Sequence, residues 1–149
     1  MKKLTGTSII EIVIATALIS VSIIAALSLM NRSQKQNTYA RQLAEATKYA
    51  TQASDWIKTE RNILGWATMA SLPDGTYCLN VLPVDFTEII SGECDATDYI
   101  DSTNFQRQIE ILKTSDPVNN LDAVKITIKV SWMENVKRQA IIEMELNTW

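Results

Sequence analysis

The chain has 149 residues, 46% of them hydrophobic and 21% charged, with a formal net charge of -3 from 14 basic and 17 acidic side chains and no histidine. That length suits one ordinary domain, or one small domain with an appendage, and not a two-domain enzyme. The charge argues against a broad basic face for nucleic acid, and the missing histidine excludes a Ser-His-Asp triad, a His-containing zinc site and an imidazole base.

The mean hydropathy of -0.01 hides a sharp segregation. From Thr7 to Met30 the chain reads TSIIEIVIATALISVSIIAALSLM, with 17 of 24 residues apolar, no glycine or proline, and Glu11 as the one charge. At about 1.5 Å per residue a helix of this length reaches roughly 36 Å, enough for a hydrocarbon core of about 30 Å. Lys2 and Lys3 are the only charges before it, so the positive-inside rule places the N-terminus in the cytoplasm and the residues after Asn31 on the far side. A cleaved secretory signal would have a shorter apolar stretch with a small-residue cleavage site behind it. A plain signal anchor leaves Glu11 unexplained, because a carboxylate in an apolar helix costs on the order of 2.5 kcal/mol to insert, somewhat less near the interface.

The series Lys2, Lys3, Gly6, Thr7, Glu11 and an unbroken apolar helix resembles the class III signal of type IV pilins and type II secretion pseudopilins. The resemblance implies cleavage between Gly6 and Thr7 by a prepilin peptidase, with N-methylation of Thr7 by the same enzyme. It implies as further partners other major and minor pilins through the N-terminal helix, and an inner-membrane assembly platform. The implied location is a single-pass inner membrane protein with its head in the periplasm or outside, later built into a pilus or pseudopilus. Cleavage would create an ammonium at Thr7, one helical turn from Glu11, in a medium where neither charge stays unpaired cheaply. Pairing of Glu11 in one subunit with Thr7 of its neighbour would relieve that penalty and fix axial register. The plain alternative is a Glu11 that snorkels to the headgroups. Two departures favour a minor, priming or tip subunit over a bulk one. Residue 7 is Thr where major pilins mostly carry Phe, and Ser20 and Ser28 stand where those subunits commonly have glycine and proline, so the helix should be straighter.

The helix is expected to continue past Asn31, because Tyr39, Leu43, Ala46, Ala50, Ala53, Ile57 and Leu64 recur at steps of three, four or seven and form one apolar stripe. Arg41, Glu45, Lys48, Gln52, Asp55 and Lys58 occupy the complementary face. The Ala-rich stripe suits close packing on a sheet, with a coiled-coil seam between subunits as the alternative. Gly65 and the turn Leu72, Pro73, Asp74, Gly75 should close the helical region.

Four strands are expected next: Thr76 to Leu82, Phe105 to Thr114, Ala123 to Trp132 and Arg138 to Leu146, the last two forming a hairpin. Val124, Ile126, Ile128, Val130 and Trp132 share one face of the third, and Ile142, Met144 and Leu146 face inward on the fourth. An antiparallel sheet with one apolar face needs a cover, and the stripe on the long helix supplies it. The fold class is α+β, organised as leader 1–6, transmembrane and assembly helix 7–30, amphipathic spine 31–66 and globular head 67–149. The ending VKITIKVSWMENVKRQAIIEMELNTW resembles V-type minor pilins and I-type minor pseudopilins, and does not separate them.

Cys78 and Cys94 lie beyond the membrane, where oxidation is permitted, and a disulfide closing that loop would contribute roughly 3 kcal/mol. The alternative is a pair of buried thiols in a cell that does not oxidise its exported proteins. Glu93, Asp95, Asp98 and Asp101 form an oxygen-rich stretch whose spacing does not match a calcium loop, so a solvated loop is expected. From Asn31 onward the chain has 12 basic and 16 acidic side chains, which gives no strong case for nucleic acid. Trp66 and Trp149 suit either subunit contacts or core burial. No catalytic residue, metal site or cofactor is expected. The function read from these residues is a minor pilin, with a type II secretion minor pseudopilin, or a ligand- or DNA-binding tip subunit, as alternatives.

Overall fold

A computed structural model describes residues 8–115 and 122–147. Gly6, Thr7 and Trp149 lie outside them. The chain divides into two compact units, Met1–Arg41 and Gln42–Trp149, and helix α1 (Ile9–Leu64) contributes residues to both.

In the first unit, the apolar stretch of α1 has a mean hydropathy of 2.6 and none of it is buried within the structure. This one helix is long and apolar enough to cross a membrane. Its hydroxyls fold back onto the helix: Thr16 Oγ1 donates to the Val13 carbonyl at 3.0 Å, Ser20 Oγ to Thr16 at 2.8 Å, and Ser28 Oγ to Ile24 at 2.9 Å. Each polar side chain is thereby satisfied without water, as an apolar medium requires.

The second unit is α+β. Ala46, Ala50, Ala53 and Ile57 are fully buried, at steps of four, three and four along α1, and belong to the same hydrophobic core as the inward residues of the sheet. Arg41, Glu45, Lys48, Gln52, Asp55 and Lys58 are exposed, as the pattern predicts. The helix ends at Gly65, whose amide donates to the Arg61 carbonyl at 3.0 Å and whose φ of 81° is the left-handed conformation that glycine adopts cheaply. Instead of running on through Trp66, the chain opens a second short helix there, α2 (Trp66–Ser71).

The sheet has five strands where four are expected: β1 (Gly75–Cys78), β2 (Ile90–Ser91), β3 (Phe105–Ser115), β4 (Asp122–Met133) and β5 (Lys137–Asn147), in the order β2-β1-β3-β4-β5 and antiparallel throughout. The addition is β2, two residues paired as Tyr77 with Ser91 and Cys78 with Ile90. The register of β3 on β4 sets Phe105 opposite Trp132, Ile109 opposite Ile128 and Ile111 opposite Ile126. All six are buried together with Val124 and Val130, and each such isoleucine contributes about 1.5–3 kcal/mol relative to exposure. On β5, Leu146 is buried, and Ile142 and Met144 pack on the core. Tyr49, Phe105 and Trp132 form a chain of tilted rings with centroids 5.6 and 5.8 Å apart. Trp132 Nε1 donates to Gln42 Oε1 at 3.1 Å, so the indole satisfies its one polar atom on the helix it packs against.

Candidate functional site

Glu11 lies in the first turn of α1, where its amide donates to the Ser8 carbonyl at 2.9 Å. It is exposed and is the only charged side chain of the helix before Arg32. A carboxylate at this end is favoured by the helix dipole. Gly6 and Thr7, the residues expected to supply the cleavage and methylation site beside it, are outside the described residues.

Cys78 and Cys94 form a disulfide with a Cα separation of 4.8 Å. It ties β1 to the loop between β2 and β3. Asn80 Nδ2 donates to the Asp98 carbonyl at 2.9 Å, and Gln106 Nε2 to the Asp95 carbonyl at 2.8 Å. With its main chain pinned in this way, the loop leaves the Glu93, Asp95 and Asp98 side chains exposed. They border a surface cavity of about 630 Å³ whose apolar lining includes Leu79, Val81, Ile89, Ile90 and Tyr99. Among the described residues no group of three or more His, Cys, Asp or Glu side chains is arranged to hold a metal ion. Before the loop, Asp85 caps the 3-10 turn Phe86–Glu88 by accepting from the Thr87 amide at 2.7 Å and from the Thr87 hydroxyl. Those hydrogen bonds, the hydroxyl's first, hold its carboxyl below the usual range.

Next to this loop lies Arg107, which sequence reasoning assigned no role. It is 2% exposed. Its Nε donates to the Leu79 carbonyl at 2.7 Å, Nη1 to the Tyr49 carbonyl at 3.0 Å and Nη2 to the Asn80 carbonyl at 3.4 Å, while Asn80 Oδ1 accepts from the Arg107 amide at 2.7 Å. Burial pushes the guanidinium down to about 10, against the opposing influence of Tyr49 and Asp101. It therefore remains charged at neutral pH. The signal was present in the alternation of Phe105, Arg107, Ile109 and Ile111, which puts a cation on the inward face. Trp66 is half-buried, 5.8 Å beneath the Arg61 guanidinium, and packs on the core.

No protein-family model, curated protein or solved structure matches the chain.

Proposed function

We propose that the chain is a minor subunit of a type IV pilus, placed in a priming or tip complex after cleavage between Gly6 and Thr7 and methylation of Thr7. The observation that carries this reading is Glu11, a lone carboxylate in the first turn of α1, in an N-terminal stretch that is otherwise apolar and unburied. A carboxylate there is costly in lipid unless something pairs it, and the new ammonium of a neighbour at Thr7 is a partner of the right charge. The α+β head and its disulfide support the same reading. The subunit performs no chemistry of its own; it is a substrate of the peptidase and then a structural element. Its helix moves from lipid into a bundle of similar helices, so packing and the Glu11 pairing drive assembly more than hydrophobicity does.

Two variants test this. Gly6→Ala is expected to stay unprocessed in the membrane, and Glu11→Ala to be processed but poorly incorporated into filaments; normal maturation and assembly of both would falsify the reading. The terminal hairpin is shared by a second reading, a minor pseudopilin of a type II secretion system, and does not separate the two. Deleting the chain separates the two: loss of surface pili supports the first, and loss of protein export with pili intact supports the second.

A further inference from the structure

The charges of this chain are segregated along its length. Between Arg61 and Arg107 there is no lysine or arginine but seven carboxylates, whereas between Glu11 and Glu45 there is no acid but Arg32, Lys35 and Arg41. The acidic stretch folds into the cavity beside the Cys78–Cys94 disulfide. Its lining includes exposed apolar surface, with Val81 76% and Ile90 73% accessible, and the carboxylates Glu88, Glu93, Asp95 and Asp98. Among the described residues none of these four carboxylates takes part in an ion pair. The basic stretch, 31–41, is helical and exposed along its whole length. Arg32, Lys35 and Tyr39 follow each other at i, i+3 and i+7, which puts them on one face over a rise of about 10 Å. Arg32 and Lys35 likewise have no ion pair among the described residues.

We propose that the acidic groove beside the disulfide docks the basic α1 stretch 31–41 of a second copy of this chain. Exposed apolar surface beside four carboxylates fits a helix face that offers cations and an aromatic ring, and it disfavours any acidic surface. The disulfide and the Asn80 and Gln106 hydrogen bonds hold the groove in shape, which lowers the ordering cost of binding. The two surfaces are different parts of the molecule, so the contact is heterologous. A head-to-tail contact of this kind does not close on itself as a two-fold dimer does. The proposal deepens the filament-subunit reading and rests on it for its use in the cell.

The test uses the full-length chain in neutral detergent, with self-association measured by sedimentation at low and high salt. The native chain is expected to associate at low ionic strength and to weaken by about tenfold or more as salt screens the exposed charges. Arg32→Glu with Lys35→Glu, and separately Glu93→Lys with Asp98→Lys, should each weaken association by a similar factor, and mixing the two reversed proteins should restore it. Restoration on mixing cannot come from a misfolded variant. Association that ignores salt and both reversals, or reversed proteins that do not pair with each other, overturns the proposal. The full-length chain used here keeps residues 1–6 and has no Thr7 ammonium for Glu11 to pair with, so failure of the filament reading in cells and failure of the groove contact in solution are separate results.

Discussion

The Arg107 guanidinium on β3 donates to the Tyr49 carbonyl on α1 at 3.0 Å while also holding the carbonyls of Leu79 and Asn80. One buried cation thus satisfies three main-chain acceptors from two segments, α1 and the stretch after β1, and stands in for the hydrophobic residue its strand position would otherwise take. Replacing it with Leu removes the guanidinium donors that the Leu79 and Asn80 carbonyls use, and cuts the side-chain tie from β3 to the Tyr49 carbonyl of α1. Arg107→Leu is expected to destabilise the second unit by on the order of 3 kcal/mol. Arg107→Lys, a point donor that cannot reach all three acceptors, should lie between Leu and the native residue. Thermal unfolding followed by tryptophan fluorescence reads the difference.

The helix stripe makes an opposite demand, because Ala50 is fully buried where helix and sheet meet. Ala50→Leu adds volume to a site with no room and should cost about 1–3 kcal/mol through overpacking. On the opposite face, Asp55 and Lys58 form an ion pair of 4.0 Å with both side chains more than half exposed. Asp55→Ala should change stability by less than about 0.5 kcal/mol in the same melts. Equal effects of the two substitutions would contradict the assignment of the buried face.

How far the fold was legible follows from the range of the forces that set each element. The alternation of Val124 to Trp132 and the helical spacing of Ala46 to Ile57 are local patterns, and both faces are buried as the patterns require. The first strand is legible only in part. It is expected over Thr76 to Leu82 but ends at Cys78, where the Asn80 side chain takes over the Arg107 amide that a continued ladder would use. β2 is invisible in the sequence because its two residues have no pattern of their own. It exists through pairing with β1, in the segment that the disulfide holds close. The disulfide was legible from compartment and spacing. The network around Arg107 was not, because nothing local shows which carbonyls a buried guanidinium will reach.

The disulfide gives a third expectation. Cys78 and Cys94 are 16 residues apart, and opening a loop of that size costs about 3 kcal/mol in the chain-entropy account. A Cys78→Ser, Cys94→Ser double variant should lose about that much stability. Since β2 depends on the same closure, its Ile90 and Ser91 amides should exchange with solvent faster than those at the centre of β4. Thiol labelling of the denatured, unreduced native chain should find no free sulfhydryl; two free thiols would contradict the bridge.

Tyr77 sets a limit at high pH. Its ring is buried and its hydroxyl donates to the Pro73 carbonyl at 2.7 Å, closing the turn that leads into β1. Burial, and then the nearby Asp74 charge, raise its phenol above the ordinary value of 10.0. The folded state therefore keeps a proton that the unfolded chain gives up near that pH. The resulting stabilisation is fully present below about pH 10 and is lost as pH rises through the folded-state value, because a phenolate cannot donate and is poorly solvated in the core. Tyr77→Phe should cost about 1 kcal/mol at pH 7, the net worth of one hydrogen bond, and should flatten the alkaline fall in melting temperature. Tyr49, whose phenol is also raised, first by burial and then by Glu45 and Asp101, remains in both proteins, so the difference between native and variant curves isolates Tyr77. Parallel melting curves from pH 7 to pH 11 would show that the Tyr77 hydroxyl does not carry the alkaline loss.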